Sequence, residues 1–436
     1  MALPLVSIVG RPNVGKSTLF NRILRRRQAV VDPTPGVTRD RHQAVAEWTG
    51  RSFVLIDTGG LIHQSEETMQ RFITEQAGLA IEQSDLIILL VDGSTGVHPE
   101  DAIIADQIRK SGKPFILAVN KIDDPANEAA ELEFAELGLG DTHPISALLG
   151  LQVGDLLDKI VANMPSVEPL VEDGLRLAVV GRPNVGKSSL VNRLLGEPRM
   201  IVSEIPGTTR DSIDTHLEFE GQKYTLIDTA GLRKPKRVRD QIEFYTALRT
   251  SRAISRSEVV CVLLDASADL SNQDFKIAEA AVEAGAGLMF AVNKWDLIEK
   301  DTHTAGRYVH DLQARAATFS WAPIVFISAF TGQRTSKVLT MAQEIAAMRR
   351  KHISTRELTA TILDDIQRKP PPAVKGRFIK INYATQSEKP PPTFVFFCNH
   401  PDLIGETYVR FITNRIRERF DFSGVPVRVQ FRKKGK

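Results

Sequence analysis

The sequence lacks the features of a membrane or secreted protein. No apolar run in its 436 residues reaches the roughly 18 residues needed to span a bilayer. Met1 is followed at once by the apolar run Leu3–Val9, without the basic segment and cleavage site of a signal peptide. Only two cysteines occur, Cys261 and Cys398, each inside an apolar run, which predicts buried free thiols in a reducing compartment. We therefore expect a cytoplasmic protein that does not associate with membranes.

The sequence also has little net charge, but that charge is unevenly distributed. The formal net charge is +3, from 56 Lys and Arg and 53 Asp and Glu. Residues 349–436 hold 19 Lys and Arg against 8 Asp and Glu, a net of +11, so residues 1–348 carry −8. A basic tail behind acidic domains favours a nucleic-acid partner for the tail, with plain solvation of the surface as the alternative.

The chain contains an internal repeat. The string GRPNVGKS occupies Gly10–Ser17 and recurs at Gly181–Ser188, 171 residues later. Further pairs follow at offsets of 171, 171, 173 and 182 residues, namely Pro35-Gly36 with Pro206-Gly207, Asp57-Thr58-Gly59-Gly60 with Asp228-Thr229-Ala230-Gly231, Asn120-Lys121-Ile122-Asp123 with Asn293-Lys294-Trp295-Asp296, and Ser146-Ala147 with Ser328-Ala329. The offset stays constant through the first motifs and increases only toward the end of the repeat. This pattern indicates a duplicated globular domain with insertions near its end.

Each copy alternates apolar runs with helical segments. The predicted strands are Leu3–Val9, Ser52–Ile56, Leu86–Asp92, Phe115–Asn120 and Pro144–Ser146 in the first copy, and Arg176–Val180, Lys223–Ile227, Val259–Asp265, Leu288–Asn293 and Ile324–Ser328 in the second. Most are continuous Val, Ile and Leu runs, which are typical of strands buried on both faces. We therefore predict two α/β domains with doubly wound, mostly parallel sheets that bind ligands at the carboxyl ends of their strands.

The sequence also suggests domain boundaries. We predict a first domain over residues 1–165, an acidic linker over 166–174, a second domain over 175–348 and a basic α+β domain over 349–436. The predicted elements of the last domain are the helices Thr355–Arg368 and Glu406–Phe420 and the strands Phe378–Tyr383, Thr393–Cys398 and Val427–Phe431. Proline triplets at Pro370–Pro372 and Pro390–Pro392 bound its first strand, because proline cannot donate to a ladder. The cluster Phe394–Phe397 is predicted to be core rather than a base-stacking surface.

The repeated GRPNVGKS string fits the phosphate-binding P-loop. Its glycines, Gly10 and Gly15 in the first copy, allow backbone N–H groups to converge on phosphates at a helix N-terminus. The lysine is expected to neutralise β- and γ-phosphate oxygens, and the serine after it to place a hydroxyl on Mg²⁺. The residues assigned to this loop are Gly10, Gly15, Lys16, Ser17 and Thr18, with Gly181, Gly186, Lys187, Ser188 and Ser189 in the second copy. A plain glycine turn is the alternative, and the duplication of the whole string weighs against it.

Two further motifs complete the predicted phosphate site. In Asp-x-x-Gly, the aspartate is expected to hold a magnesium-bound water and the glycine N–H to approach the γ-phosphate. A threonine between the two motifs can bind Mg²⁺ and close over the γ-phosphate only while that phosphate is present, which would make a switch. The residues are Asp57, Gly60 and Thr38 in the first copy and Asp228, Gly231 and Thr209 in the second. We assign catalytic roles to Lys16 and Thr38 in the first copy and to Lys187 and Thr209 in the second. Alternatively, each threonine is an ordinary loop residue without a catalytic role.

The Asn-Lys-x-Asp motif predicts the base. Its aspartate, Asp123 or Asp296, can accept hydrogen bonds from guanine N1–H and the 2-amino group. Adenine lacks this donor pair and would leave a buried carboxylate unpaired. The guanine contacts are assigned to Asn120, Lys121, Asp123, Ser146 and Ala147, and to Asn293, Lys294, Asp296, Ser328 and Ala329. The alternative, in which the Asn and Asp cap a helix start, is weakened because both copies follow a strand ending in Ala-Val-Asn-Lys.

With tandem GRPNVGKS domains, PGTTRD and a basic tail, the chain resembles the EngA/Der family over essentially all 436 residues. Members of this family are GTPases of bacteria and plastids that act in assembly of the large ribosomal subunit, so the resemblance implies this role. It also implies a KH-like tail that packs between the GTPase domains and touches ribosomal RNA. It also implies a potassium ion at Asn13 and Asn184, where it would neutralise transition-state charge. The chain departs from common patterns in two ways. Leu61 and Leu232 replace a water-orienting Gln, which predicts slow intrinsic hydrolysis that needs a cation or a partner. The tail has no Gly-x-x-Gly, which disfavours single-strand binding in the usual KH manner and leaves duplex RNA or protein as alternatives for its basic face.

The sequence thus predicts a monomeric, Mg²⁺-dependent and potassium-stimulated GTP hydrolase that binds the large ribosomal subunit and its RNA. The basic run Arg233–Arg237 is either a state-dependent RNA contact or a solvated loop. A signalling or membrane-associated GTPase that acts on proteins or anionic lipid is the main alternative, although the chain has no basic amphipathic helix of the membrane type. A metabolic P-loop enzyme such as a kinase is a third possibility, which the Asn-Lys-x-Asp motif disfavours.

Replacing Asp123 or Asp296 by Asn should shift that site from GTP toward xanthosine triphosphate. The substitution removes the acceptor for guanine N1–H, whereas xanthine presents an oxygen that the new amide can meet. Competition binding should be measured in proteins whose other site is disabled at its P-loop lysine. An unchanged base preference in both variants would show that this aspartate does not read the base.

Overall fold

A computed structural model describes residues 3–25, 43–59, 76–124, 133–165, 174–197, 200–203, 214–229, 243–299, 301, 303–374 and 376–433. The chain divides into two compact units, one formed by Met1–Leu170 and Arg239–Arg249, the other by Val171–Val238 and Thr250–Lys436. Over the described ranges, no helix is both long and apolar enough to cross a membrane.

The first unit contains one mixed sheet. Its strands are β1 (Leu5–Val9), β2 (Gln43–Trp48), β3 (Arg51–Asp57), β4 (Leu86–Asp92), β5 (Phe115–Asn120) and β6 (Thr142–Pro144). The strand order is β2-β3-β1-β4-β5-β6, and every neighbouring pair is parallel except β2 with β3. The helices with defined bounds are α1 (Lys16–Arg25), α2 (Pro99–Ser111) and α3 (Val153–Asn163).

The central strands of this sheet are buried on both faces. All seven residues of β4 are buried. Leu86, Ile88 and Leu90 pack into one core, while Ile87, Leu89 and Val91 pack into the core on the opposite face. This period-2 division explains why the strand reads as a continuous apolar run, and the prediction of a doubly wound sheet is confirmed.

The second unit repeats this architecture with a seventh strand. Its strands are β7 (Leu175–Val180), β8 (Met200–Ser203), β9 (Thr215–Phe219), β10 (Gln222–Ile227), β11 (Val259–Asp265), β12 (Gly287–Asn293) and β13 (Ile324–Phe326). The order is β13-β12-β11-β7-β10-β9-β8, and β9 is antiparallel to both of its neighbours, β10 and β8. Its helices are α4 (Lys187–Leu195), α6 (Asn272–Glu283), α7 (Thr304–Arg315) and α8 (Lys337–Arg350), while α5 (Glu243–Arg256) crosses the boundary between the units.

The basic tail forms a three-stranded sheet covered by helices. Helix α9 (Thr355–Leu358) continues through a π turn (Thr359–Leu363) into α10 (Asp364–Arg368), and α11 (Glu406–Phe420) follows later. Strand β15 (Thr393–Cys398) lies between β14 (Ile381–Gln386), which is antiparallel to it, and β16 (Arg428–Lys433), which is parallel. Phe394 and Phe396 are fully buried, as predicted, but Phe397 is only partly buried and does not belong to the core.

The tail shares its core with the second nucleotide domain. One apolar cluster includes Leu177 of β7, Ile345 of α8 and Phe396 of β15. Two backbone hydrogen bonds join the parts, because Gly424 accepts from the N–H of Leu288 at 2.7 Å and donates to the carbonyl of Trp321 at 2.9 Å. The tail is therefore fused to the second nucleotide domain through continuous packing.

Several predicted elements differ from the structure. Strands β2, β8 and β9 were not expected, because their short sequences alternate or mix polar and apolar residues instead of forming apolar runs. The first tail strand begins at Ile381, not at Phe378. Before Ile381, backbone groups of Phe378 and Lys380 bond to the Asn399 side chain instead of to a neighbouring strand. That side chain accepts from Lys380 N at 2.8 Å and donates to Phe378 O at 2.9 Å. Both cysteines are free and buried, as predicted.

Replacing Gly424 by Ala should destabilise the second unit more than replacing Gly376 by Ala. Both glycines have positive φ, +71° and +73°, so in each variant a residue with a Cβ must adopt a left-handed backbone conformation, which costs ~1 kcal/mol. A Cβ at Gly424 would also meet Ile345 Cγ1 at 2.5 Å, whereas nothing lies within 4 Å at Gly376. Overpacking of this kind adds about 1–3 kcal/mol.

Urea unfolding followed by the fluorescence of Trp295 and Trp321, in a Trp48→Phe background, measures the difference. Equal unfolding midpoints for the two glycine variants would show that the contact between Gly424 and Ile345 does not support the fold.

Candidate nucleotide-binding sites

The two phosphate loops have the same backbone conformation. Each begins where a central strand ends, β1 or β7, and each leads into a helix, α1 or α4. Asn13 and Asn184 both have φ of 64°, in the left-handed region. At Gly15 and Gly186, a Cβ would lie 2.3 Å from the amide nitrogen of Asn120 and Asn293 respectively. Only glycine fits there, so each loop lies directly against the asparagine of the base motif.

The loop lysines are buried at the centre of these loops. Lys16 Nζ donates to Gly10 O at 2.8 Å and to Arg11 O at 2.6 Å, and it is 5% exposed. Lys187 makes the equivalent bonds at the same two distances. Burial lowers the pKa of each lysine to about 8, although in the first copy Asp57 and Asp101 partly oppose this effect. A charged lysine has three donors, so one remains for an anion.

The aspartate after β3 lies beside the first lysine. Asp57 is 2% exposed, and its Oδ1 accepts from Gly59 N at 2.8 Å. A Cβ at Gly59 would meet Lys16 Cε at 2.9 Å and Asp57 Oδ1 at 3.2 Å, so the structure brings these two side chains to the same glycine. The side chains of Ser17 and Thr18 are exposed on the first turn of α1.

The equivalent turn of the second copy has different hydrogen bonds. Asp228 has φ of 60°, and its N–H donates to Asp214 Oδ1 at 2.8 Å. Thr229 Oγ1 lies 2.5 Å from Thr215 Oγ1, whereas its counterpart Thr58 donates to Ile8 O. The predicted residues Thr38, Gly60, Thr209 and Gly231, together with Leu61, Leu232 and Arg233–Arg237, lie outside the described residues.

The base-motif asparagine ties three loops together. Asn120 donates from Nδ2 to Val14 O at 2.7 Å and accepts at Oδ1 from Ala147 N at 2.8 Å. Asn293 makes the same pair of bonds to Val185 and Ala329, at 2.8 and 2.9 Å. The asparagine thus bridges the phosphate loop and the Ser-Ala segment, a role that differs from the helix cap considered from the sequence alone.

The base-motif aspartates have different partners. Asp123 Oδ1 accepts from Ser146 Oγ at 2.6 Å. Asp296 Oδ1 is buried and has no hydrogen-bond partner among the described residues. A buried carboxylate oxygen without a donor is costly, and a guanine N1–H or 2-amino group would satisfy it. The chemistry of this position fits the predicted base.

Sequence reasoning missed an acidic partner of the motif lysine. Lys121 Nζ lies 2.5 Å from Asp92 Oδ2, and Lys294 Nζ lies 2.6 Å from Asp265 Oδ2. Burial raises the pKa of both aspartates, but hydrogen bonds from these lysines and from Ser94 or Ser267 outweigh it and hold each pKa below its usual value. The aspartates therefore stay ionised and hold the lysines in place.

Sequence reasoning also missed two arginines in each copy. Arg22 and Arg193 donate from Nε to the carbonyls of Ala147 and Ala329, at 3.0 and 3.2 Å. The loop residue Arg182 lies 2.9 Å from Asp274, which is fully buried in α6. The sequence held a signal for all of these residues, because Arg11, Arg22, Asp92 and Asp101 recur at the repeat offset as Arg182, Arg193, Asp265 and Asp274.

The affinity of the first site for GDP should fall as pH rises through about 8. The pKa of Lys16 is about 8, and bound phosphates favour the charged ammonium, so nucleotide raises that pKa. Between the free and bound pKa values, binding takes up a proton, and affinity falls by up to about tenfold per pH unit.

Calorimetric titration of the Lys187→Ala protein with GDP isolates the first site. Two buffers of different ionisation enthalpy report proton uptake directly, at pH values below the ionisation of guanine N1–H. Constant affinity without proton uptake would contradict a titrating Lys16, and the Lys16→Ala protein gives the matched measurement on Lys187.

Comparison with known proteins identifies the modules. A family model described as "50S ribosome-binding GTPase" matches residues 5–121 and again 176–294. A second model, described as the C-terminal KH-domain-like module of EngA bacterial GTPase enzymes, matches residues 352–432. A crystal structure of an Era variant of Aquifex aeolicus bound to GDP and AlF4⁻ covers 58% of this chain and 87% of its own at 26% identity, with a TM-score of 0.31, which is too low to support an argument.

Curated relatives match from end to end. GTPase Der of Gemmatimonas aurantiaca is 48% identical over 435 residues, which covers 100% of both chains. GTPase Der of Moorella thermoacetica is 47% identical and covers 99% of both chains, and that of Clostridium tetani is 48% identical and covers 100% of both. With both nucleotide modules and the tail module matched in order, the chain belongs to the GTPase Der (EngA) family.

Proposed function

We propose that this chain is a monomeric, cytoplasmic GTP hydrolase whose two nucleotide domains act as a switch in assembly of the large ribosomal subunit. The observation that carries the proposal is the duplicated amide bridge. In each domain one asparagine joins the phosphate loop to the Ser-Ala segment, with the loop lysine and the base aspartate nearby. The repetition of the whole arrangement supports nucleotide binding in both domains.

The proposed roles follow from the donors and acceptors of each site. Lys16 and Lys187 neutralise phosphate oxygens with the donor that the loop carbonyls leave over. Asp123 and Asp296 accept from the guanine edge. Asn120 and Asn293 each give one amide N–H to the phosphate loop, so the second N–H of each amide remains for the base.

The site residues also fit Mg²⁺. Hydroxyl and carboxylate oxygens are the ligands this ion prefers, and here they come from Ser17 and Asp57 or from Ser188 and Asp228, with Thr38 and Thr209 proposed alongside. Within the described ranges there is no group of three or more His, Cys, Asp or Glu that could hold a metal. Mg²⁺ commonly relies on few carboxylates together with substrate phosphates, which agrees with this sparse set. When bound, the ion supplies positive charge to the phosphate oxygens.

Potassium should stimulate hydrolysis, and sodium at the same ionic strength should not. Asn13 and Asn184 present exposed side chains at matching left-handed positions of the two loops, where an amide oxygen could hold a monovalent cation. Leucines replace the water-orienting Gln, so cation charge would provide transition-state stabilisation. Asn13→Ala or Asn184→Ala should remove the stimulation from its own domain only.

Steady-state GTP hydrolysis in the two salts tests this, with the other domain silenced at its P-loop lysine. Equal rates in potassium and sodium, or stimulation that persists in both asparagine variants, would contradict the proposed cation role.

The tail supports a ribosomal partner. Its net charge of +11 favours phosphates, and the nucleotide modules match a family described as binding the 50S subunit. Arg377 and Lys380 have exposed side chains in the segment that leads into β14. Arg417, in contrast, lies 4.4 Å from the Trp321 ring and donates to the carbonyls of Phe422 and Val425, so it serves the fold.

Co-sedimentation tests the partner. The full chain should pellet with large ribosomal subunits most strongly with a GTP analogue and most weakly with GDP, and not with small subunits or anionic liposomes. Affinity should fall with salt at a log–log slope of about 0.7–0.9 per phosphate contacted. Arg377→Glu should weaken pelleting, and adding Lys380→Glu should weaken it further. Arg307→Glu, at a 66% exposed arginine of the second nucleotide domain, is the control with the same change in charge as Arg377→Glu.

Pelleting with liposomes instead of subunits would overturn the proposal in favour of a membrane-associated GTPase. Deleting the whole tail is a poor test, because its core is continuous with that of the second nucleotide domain and the deletion would expose Ile345 and its neighbours.

A further inference from the structure

One face of the tail sheet carries aromatic side chains that are not part of the core. Residues alternate between the two faces of a strand. On β15, Phe394 and Phe396 face the helices and are fully buried, whereas Val395 and Phe397 face the other way. The register places Tyr383 of β14 and Arg432 of β16 on either side of Phe397, with Gln430 beside Val395. We call Tyr383, Phe397, Arg428, Gln430 and Arg432 the open sheet face, with Val395 between them at only 8% exposure.

The two aromatic rings of this face are in contact, and one of them is well exposed. The rings of Tyr383 and Phe397 lie 5.7 Å apart between centroids at an interplanar angle of 44°. Tyr383 is 45% exposed although it sits in the middle of a hydrogen-bonded strand. The core of this domain is already filled by other phenylalanines, so the outward pair adds little to it. An aromatic pair held on a rigid strand offers flat surfaces at a low cost in conformational entropy.

The charge of this face favours an anionic occupant. Arg432 is exposed directly across from Phe397, and Arg428 is exposed across from Thr393, where its Nη2 donates to Glu283 O at 2.7 Å. None of the outward residues of the three strands is acidic. Next to β14, Asn399 fixes the backbone of Phe378, whose side chain is 77% exposed, and of Lys380. Aromatic and cationic groups are therefore interleaved on one surface.

We propose that the open sheet face binds single-stranded RNA, with unpaired bases stacked on Tyr383 and Phe397 and a phosphate held by Arg432. Stacking needs bases that are not already paired within a helix, which selects single strands over duplex. The tail has no Gly-x-x-Gly, so its recognition of single strands must come from another surface than the loop of usual KH domains. This inference rests on the proposed function in that it specifies which form of RNA the basic tail takes.

The test uses the full chain and labelled RNA probes in fluorescence anisotropy. The probes are short oligouridylate and oligoadenylate single strands and a blunt RNA duplex of equal length. Tyr383→Ala should weaken binding of both single strands by about tenfold and leave duplex binding unchanged, because stacking tolerates any base. Tyr383→Phe should keep the affinity, since it retains the ring.

Three further variants distinguish a loss of base stacking from a loss of charge and from a general effect on the fold. Phe397→Leu keeps an apolar side chain but removes the ring, and it should weaken the single strands as Tyr383→Ala does. Arg432→Gln should reduce the single-strand salt slope by about 0.7, the value for one phosphate. Phe411→Ala removes a partly buried aromatic from α11, away from the open sheet face, and it should not change RNA affinity.

Wild-type affinity in both Tyr383→Ala and Phe397→Leu would overturn the proposal, and so would an equal loss for duplex or for Phe411→Ala. Co-sedimentation with the large subunit separates this inference from the proposed function. If the wild type pellets with subunits but the stacking variants bind oligonucleotides normally, only the open sheet face is wrong. If the stacking variants lose single-strand binding but the wild type pellets with no subunit, the ribosomal proposal fails and the open sheet face stands.

Discussion

A single asparagine amide in each nucleotide domain holds together three loops from distant parts of the chain. Asn120 and Asn293 are only 3% and 2% exposed, and each satisfies one phosphate-loop carbonyl and one N–H of the Ser-Ala segment. Loss of either bond would leave a buried polar group unpaired, which costs about 1–3 kcal/mol. The glycine before each loop lysine packs directly against this amide, so the bridge also explains why that position has no side chain.

The second constraint is the common core of the tail and the second nucleotide domain. Strand β12 donates a hydrogen bond to the tail at one end, from Leu288 N to Gly424 O, and carries Asn293 at the other end. All seven residues of this strand are buried, and packed interiors transmit displacement instead of absorbing it. A displacement of the tail and a ligand bound beside Asn293 would therefore both act on this buried strand.

Much of this architecture could be predicted from the sequence, because the repeat offset and the continuous apolar runs fix the central parallel strands. The edge strands β2, β8 and β9 could not, since half-exposed strands have mixed sequences. Within the sites, the sequence pointed to the motif residues but not to Asp92 and Arg22, because the roles of these two depend on contacts across 29 and 125 positions. Phe397 was assigned to the core because an apolar run does not reveal which of its residues face outward.

The duplicated motifs do not imply equal sites. Ser146 and Ser328 both accept from a backbone N–H three residues later, but only Ser146 also donates to its aspartate. Asp296 consequently keeps a buried oxygen without a donor in the described part of the chain, while Asp123 does not. Under the base assignment proposed above, a guanine in the first site would share Asp123 with Ser146, whereas a guanine in the second site would satisfy an acceptor of Asp296 that is otherwise unpaired. The same four-residue motif would then contribute different amounts of binding free energy in the two domains.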